Sequence, residues 1–358
     1  MPRTLILCFL LPCVLSVRLQ AQQPERYTLA DDDVAVYNLA GAIRVEPGDG
    51  EVAVQVTRAG ADAARLKVVQ GEIDGRPTLR VVYPSDRIRY AMGGRSSSTQ
   101  LRVREDGTFG ERDGHDDDRG RGREEGRRVT ISSQGQGLDA SADLIVRVPR
   151  GRRVAVVLAV GAVTVSHVDG DLLVDARSAP VTATGTRGAL SIEVGSGSVQ
   201  VTNAEGDLNL DTGSGAVEVS GFRGGPLSID TGSGDVTGSQ LESTEVSVET
   251  GSGDIRLTGV GAPSLSLETG SGTVTAELRQ DIASLEVSTG SGDIAIRAPA
   301  SLGAALEVET SSGDIDTDFP LQVTRRGRDH VVGTIGDGNG TIEIQTGSGE
   351  IRLLKAQN

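Results

Sequence analysis

From about residue 160 onward, apolar and polar positions alternate in short bursts, and each burst stops at nearly the same letters. Leu227-Ser228-Ile229-Asp230-Thr231 runs into Gly-Ser-Gly and then Asp235-Val236. VSVETGSGDI (246–255), LSLETGSGTV (265–274), LEVSTGSGDI (285–294), LEVETSSGDI (306–315) and IEIQTGSGEI (342–351) superimpose on it without gaps. The grammar is apolar-polar-apolar-acidic-Thr, a period of two that predicts a half-buried strand. Gly-Ser-Gly predicts a corner, because glycine takes backbone conformations closed to other residues. A second short strand follows, such as Asp235-Val236-Thr237, and then a second bend, often with glycine (Gly206, Gly221, Gly259).

The apolar residues after the corner are Val163, Val181, Val199, Val217, Val236, Ile255, Val274, Ile294, Ile315 and Ile351, spaced 18, 18, 18, 19, 19, 19, 20, 21 and 36 apart. Helical-hairpin repeats are longer, and a propeller blade needs ~40 residues. The expected fold is therefore all-β: a right-handed single-stack β-solenoid (β-helix) of about ten coils of 18–21 residues. At ~4.8 Å per coil its length would be ~45–50 Å. Leu227, Ile229 and Val236 would stack on Val246, Val248 and Ile255, then on Leu265, Leu267 and Val274. The corner glycines are Gly213, Gly215, Gly232, Gly234, Gly251, Gly253, Gly270, Gly272, Gly290, Gly292, Gly347 and Gly349. The 36-residue gap hides an extra turn or an insertion, and the segment from Asp329 to Leu354 is expected to close the rod.

Strand-like runs at 27–84 predict an N-terminal β cap over 22–84, with the solenoid occupying 138–358. Between them, 85–137 contains GERDGHDDDRGRGREEGRR, dense in both charges and without apolar periodicity, which predicts a disordered insert. Residues 1–21 read as a signal peptide: Arg3, an apolar run, and Leu19-Gln20-Ala21 before the expected cleavage. Both cysteines, Cys8 and Cys13, fall inside it, so the exported chain would have no disulfide. No later stretch approaches the ~20 apolar residues of a spanning helix.

Composition sharpens this picture. Aromatics make up 2% of the 358 residues and glycines number 49, as expected of thin aliphatic layers. Residues 22–153 hold 22 basic and 22 acidic side chains, whereas 154–358 hold 11 and 28. An acidic rod argues against nucleic acid as a partner.

The candidate chemistry lies in two acidic columns. One is Asp211, Asp230, Glu249 and Glu268. The other is Asp235, Asp254, Asp293 and Asp314, interrupted by Thr273. Asp211 and Asp230 each sit in Asp-Thr-Gly-Ser, the signature around an aspartic protease's catalytic residue, but a catalytic dyad needs a protected cleft. Here the alternation turns these carboxylates into water, with Glu249, Glu268, Ser288, Glu309 and Gln345 at equivalent places. Paired carboxylates also suit glycoside hydrolysis, so a carbohydrate-active β-helix lyase or hydrolase is the alternative reading. Against it, 154–358 has no Trp or Tyr to stack on sugar. The histidines (His115, His167, His330) are scattered, and the corner serines have no paired base. No catalytic residue and no cofactor are therefore assigned. Calcium between coils is the weak cation alternative, at Asp235, Asp254, Asp293 and Asp314; a further acidic group, Asp113 and His115 to Asp118, lacks calcium-loop spacing.

The run ADLIVRVPRG at 142–151, the serial TGSGDI units and the closing VGTIGDGNGTIEIQTGSGEI resemble the bacterial "putative adhesin" family, over about 30–84 and 138–355. The resemblance implies an exported β-solenoid in a cell-envelope setting and carries no catalytic residues. The reading is a non-enzymatic, periplasmic, surface or secreted module. Its partner would be an envelope or extracellular protein or glycan.

Overall fold

The computed structural model describes residues 24–91, 97–110 and 126–356. Among these the protein is all-β, with one short 3₁₀ turn at Ala63–Arg65. The N-terminal strands are β1 (Glu25–Leu29), β2 (Asp33–Pro47), β3 (Val52–Ala59), β4 (Lys67–Ile73) and β5 (Arg76–Val82). Four short strands follow, β6 (Arg87–Arg89), β7 (Ser98–Val103), β8 (Arg127–Ser132) and β9 (Leu138–Asp139), and then β10 (Ser141–Val148) and the long β11 (Arg152–Ser166).

The repeats then alternate longer and shorter strands. They are β12 (Gly170–Ser178), β13 (Val181–Thr184), β14 (Leu190–Ser196), β15 (Val199–Thr202), β16 (Glu205–Thr212), β17 (Val217–Ser220) and β18 (Arg223–Thr231). After the continuous β19 (Val236–Thr250) come β20 (Ile255–Gly261), β21 (Ser264–Thr269), β22 (Val274–Leu278), β23 (Ser284–Thr289), β24 (Ile294–Ala298), β25 (Ala304–Thr310) and β26 (Ile315–Thr317). The chain ends in β27 (Leu321–Arg326), β28 (His330–Ile335), β29 (Gly340–Thr346) and β30 (Ile351–Lys355).

Each strand pairs in parallel with its counterpart one repeat away, residue for equivalent residue. Leu227 meets Val246, which meets Leu265, and Val236 meets Ile255, which meets Val274. All six are buried. The stacking is solenoid-like, and its aliphatic ladders replace the aromatic core of an ordinary domain of this size.

The corners explain the glycines. Gly215, Gly234, Gly253, Gly272, Gly292 and Gly349 have φ between +137° and +156°. A Cβ on any of them would lie 2.0–2.1 Å from the carbonyl oxygen of the equivalent glycine in the adjacent rung. Positive φ and close backbone approach thus both demand glycine. The corner threonine turns inward, and at Thr250, Thr269, Thr289, Thr310 and Thr346 its hydroxyl bonds across the corner. Thr269 donates to the Gly253 carbonyl at 3.1 Å and Thr346 to the Gly292 carbonyl at 3.1 Å.

Three features differ from the sequence reading. First, the N-terminal strands are built into the stack: β2 pairs in parallel with β11 from Asp33 to Val45, so it forms the next rung. Second, the stretch expected as a disordered insert carries β6, β7 and β8, which form a four-stranded sheet with β9 just beyond it. Charge density hid its pattern, but Ile88, Val103, Val129, Ile131 and Leu138 alternate with polar residues and are all buried. Residues 111–125, including Asp113 and His115 to Asp118, lie outside the described residues, as does the leader.

Third, the last repeat does not close the rod. β29 lies between β23 and β25, and β30 between β24 and β26. The rung containing Ile315 is therefore outermost, and the Ile351 rung is inserted behind it. The antiparallel hairpin β27–β28 covers the open edge of β25. The 36-residue gap is that hairpin, and the detour lets the C-terminal segment be held on both sides.

Candidate binding face

Outward positions of the longer strands form two columns. Register places Asp175, Glu193, Asp211, Asp230, Glu249 and Glu268 on successive rungs, followed by Ser288, Gln345 and Glu309. Two residues earlier on the same strands stand Ser191, Asn209, Ser228, Ser247 and Ser266. Parallel strands are ~4.8 Å apart, so the result is a stripe of carboxylates edged by hydroxyls and one amide. Like charges directly opposite destabilise a sheet, so this spacing has a cost in stability. Asp211 and Asp230 are neighbours in this stripe, and both are exposed, unlike a protected catalytic dyad.

One end of the stripe runs beneath the accessory sheet. A cavity of about 640 Å³ there is lined by Arg102, Arg104 and Arg128 from the sheet and by Asp175, Glu193 and Asp211 from the stripe. The turn after β7 pins the two together. Arg104 donates to the Gly110 carbonyl at 2.8 Å, and Phe109 is buried edge-on to Tyr37 with ring centroids 5.8 Å apart. Gly110 has φ +82°, and a Cβ there would sit 2.2 Å from the Asp175 carboxylate. Glycine is what lets the turn lie against the stripe. A second cavity of about 490 Å³ on the other side of the turn shares Asp175 and Glu193. The arginine wall was not foreseen; its signal was the polar side of the apolar alternation at Leu101-Arg102-Val103.

The second acidic column does something else. Asp235 Oδ1 accepts the Asp254 backbone N–H at 3.0 Å, Asp254 Oδ1 that of Thr273 at 2.8 Å, and Asp293 Oδ1 that of Glu350 at 2.9 Å. These carboxylates bind the next rung of their own chain. The Thr273 N–H, and then the guanidinium of Arg256, hold Asp254 below the usual carboxylate range. Asp293 and Asp314 are not neighbours, because the inserted rung puts Glu350 between them. Among the described residues no three His, Cys, Asp or Glu side chains gather as a metal site would require.

A third column was legible but unread. Asp169, Arg187, Glu205, Arg223 and Glu242 alternate in sign on successive rungs. Arg187 meets Glu205 at 2.9 Å and Arg223 meets Glu242 at 3.1 Å. Gly261 stands opposite Glu242 on the next rung. Having no side chain, it lets Arg279 reach past to Glu242 at 2.9 Å. Contacts from Arg279 and then Arg223 hold the Glu242 carboxyl below its ordinary range.

The sequence profile of the family described as Toastrack DUF4097 matches residues 109–354, more than half of the chain. The chain belongs to the Toastrack DUF4097 family. That match spans the accessory strand β8 and every later rung, so the Toastrack region contains the whole acidic stripe. No curated protein matches the sequence. Among solved structures, one described as a "putative cell adhesion protein" from Clostridium sporogenes aligns over 93% of this Toastrack chain and 99% of its own. It shares 9% identity, with a TM-score of 0.20. No helix among the described residues is long and apolar enough to cross a membrane.

Proposed function

We propose that this protein is a non-enzymatic, adhesin-like binding module of the cell envelope or surface, exported through the leader at 1–21. The rod is a right-handed single stack. Its working surface is the acidic stripe with the arginine-lined cavity at one end, and its partner is an envelope or extracellular protein or glycan. No cofactor is required, and the second acidic column serves the backbone rather than calcium. The observation that carries the reading is the repetition of the stripe: six acidic side chains in strict register present one surface many times over. Repetition suits multivalent contact with an extended partner. A catalytic centre needs one rung to differ from the rest. The alternative, a polysaccharide lyase or hydrolase, would have to use a carboxylate pair of this stripe.

The test separates the two. Purified protein is incubated with isolated envelope material and with acidic and neutral polysaccharides, and both retention and chain cleavage are measured. Saturable retention without new reducing ends or unsaturated uronates supports the module. Cleavage that increases with protein concentration supports the enzyme.

A further inference from the structure

The long strands form one continuous column of pairings, and its two outermost members are β4 and β27. At one end β2 pairs with β5, and β5 with β4. At the other, β25 pairs with β28, and β28 with β27. Among the described residues neither β4 nor β27 has a strand on its far side. Unpaired edges are templates for another strand, and proteins usually blunt them with charge, bulges or cover.

These two edges are distinguished further. Exactly two large hydrophobic residues are exposed among the described residues: Val69 at 36% and Val323 at 47%. One lies within β4 and the other within β27. Chain direction is compatible as well. β27 runs parallel to the stacked strands, because it is antiparallel to β28 and β28 is antiparallel to β25. β4 runs against them, because it is antiparallel to β5, which is parallel to β2. A second copy placed end to end, facing the same way, would bring β27 against β4 as an antiparallel pair, the more stable arrangement.

Charge disfavours the like-with-like pairing at one end. Residues 321–328 carry Arg325, Arg326 and Arg328 and no acid. Two β27 ends facing each other would set arginines against arginines.

We infer that β27 of one copy docks on β4 of a second copy, extending the sheet from molecule to molecule. The contact is heterologous, so each copy keeps one free edge and the product is a linear chain. Assembly would lengthen the acidic stripe, though the inference stands independently of that surface's role.

The test is sedimentation velocity of the full chain across a concentration series, with Val69→Lys and Val323→Lys variants checked for native melting. Both valines are exposed, so folding is expected to survive. The wild type should form a concentration-dependent ladder of species, weaker in high salt. Each variant alone should be monomeric, its self-association weakened by at least about tenfold, or about 1.4 kcal/mol. An equimolar mixture should stop at the dimer, because it holds one intact β27 and one intact β4. A monomeric wild type would overturn the inference. So would dimers of one variant alone, which signify a like-with-like contact, or ladders that persist in the variants.

Discussion

Glycine and threonine at the corners carry the most exacting local demands. Gly234 combines φ +154° with a Cβ position 2.1 Å from the Gly215 carbonyl oxygen. Gly234→Ala should destabilise by about 2–4 kcal/mol, because the two adjacent rungs must part to admit one methyl group; chemical denaturation measures it. The threonines divide into two kinds. Thr269 is buried and hydrogen-bonded to Gly253, whereas the hydroxyl of Thr231 is buried with no partner. Thr269→Val should cost about 1 kcal/mol, and Thr231→Val should be neutral or stabilising. Equal effects of the two would mean that the corner bond contributes nothing. At the surface, Glu242 has a folded-state pKa below its unfolded value, since Arg279 and Arg223 favour its charged form. Its contribution is present above the ordinary carboxylate range and lost as pH falls through the depressed value. Glu242→Gln should therefore lower the melting temperature at neutral pH, with the gap closing as pH falls below the ordinary carboxylate range.

The elements were read unevenly from sequence, for physical reasons. A strand buried on one face advertises itself by alternation, so the repeat strands and the outward position of Asp230 were legible. Rung order was not, because consecutive units obey the same grammar and any of them can stack on any other. Only tertiary pairing places β29 ahead of β25. The accessory sheet was hidden by its charge: a short strand whose outer face is arginine resembles a solvated segment until Val103, Val129 and Ile131 are seen to be buried. The stripe was half legible: Asp211, Asp230, Glu249 and Glu268 were read as a column, but Asp175 and Glu193 were not, nor were the arginines brought over them by the turn at Phe109. Rung order can be tested by cross-linking, with Cys8 and Cys13 replaced by Ser. Ser288→Cys with Gln345→Cys joins neighbouring rungs, ~4.8 Å apart, and should oxidise readily to a disulfide. Ser288→Cys with Glu309→Cys spans two rungs and should not. The opposite pattern would restore sequence order at the end of the rod.

For the whole molecule, three columns on one rod do three different jobs. The Asp235–Asp254 column binds backbone rung to rung, and the Arg187–Glu205 column neutralises itself by alternation. Along the Asp175–Glu268 stripe, by contrast, like charges follow each other for six rungs, a cost that a purely structural ladder would avoid. That contrast is why the stripe is taken as the working face. It is tested most directly by measuring retention on isolated envelope material for two triple variants of equal charge change. Asp230→Asn, Glu249→Gln and Glu268→Gln together remove three of the six acidic charges of the stripe. Asp235→Asn, Glu218→Gln and Glu277→Gln together remove the same charge elsewhere on the rod. Loss of retention by about tenfold or more in the stripe variant, with near wild-type retention in the other and both folded, is the predicted result. Equal retention by the two variants would contradict it.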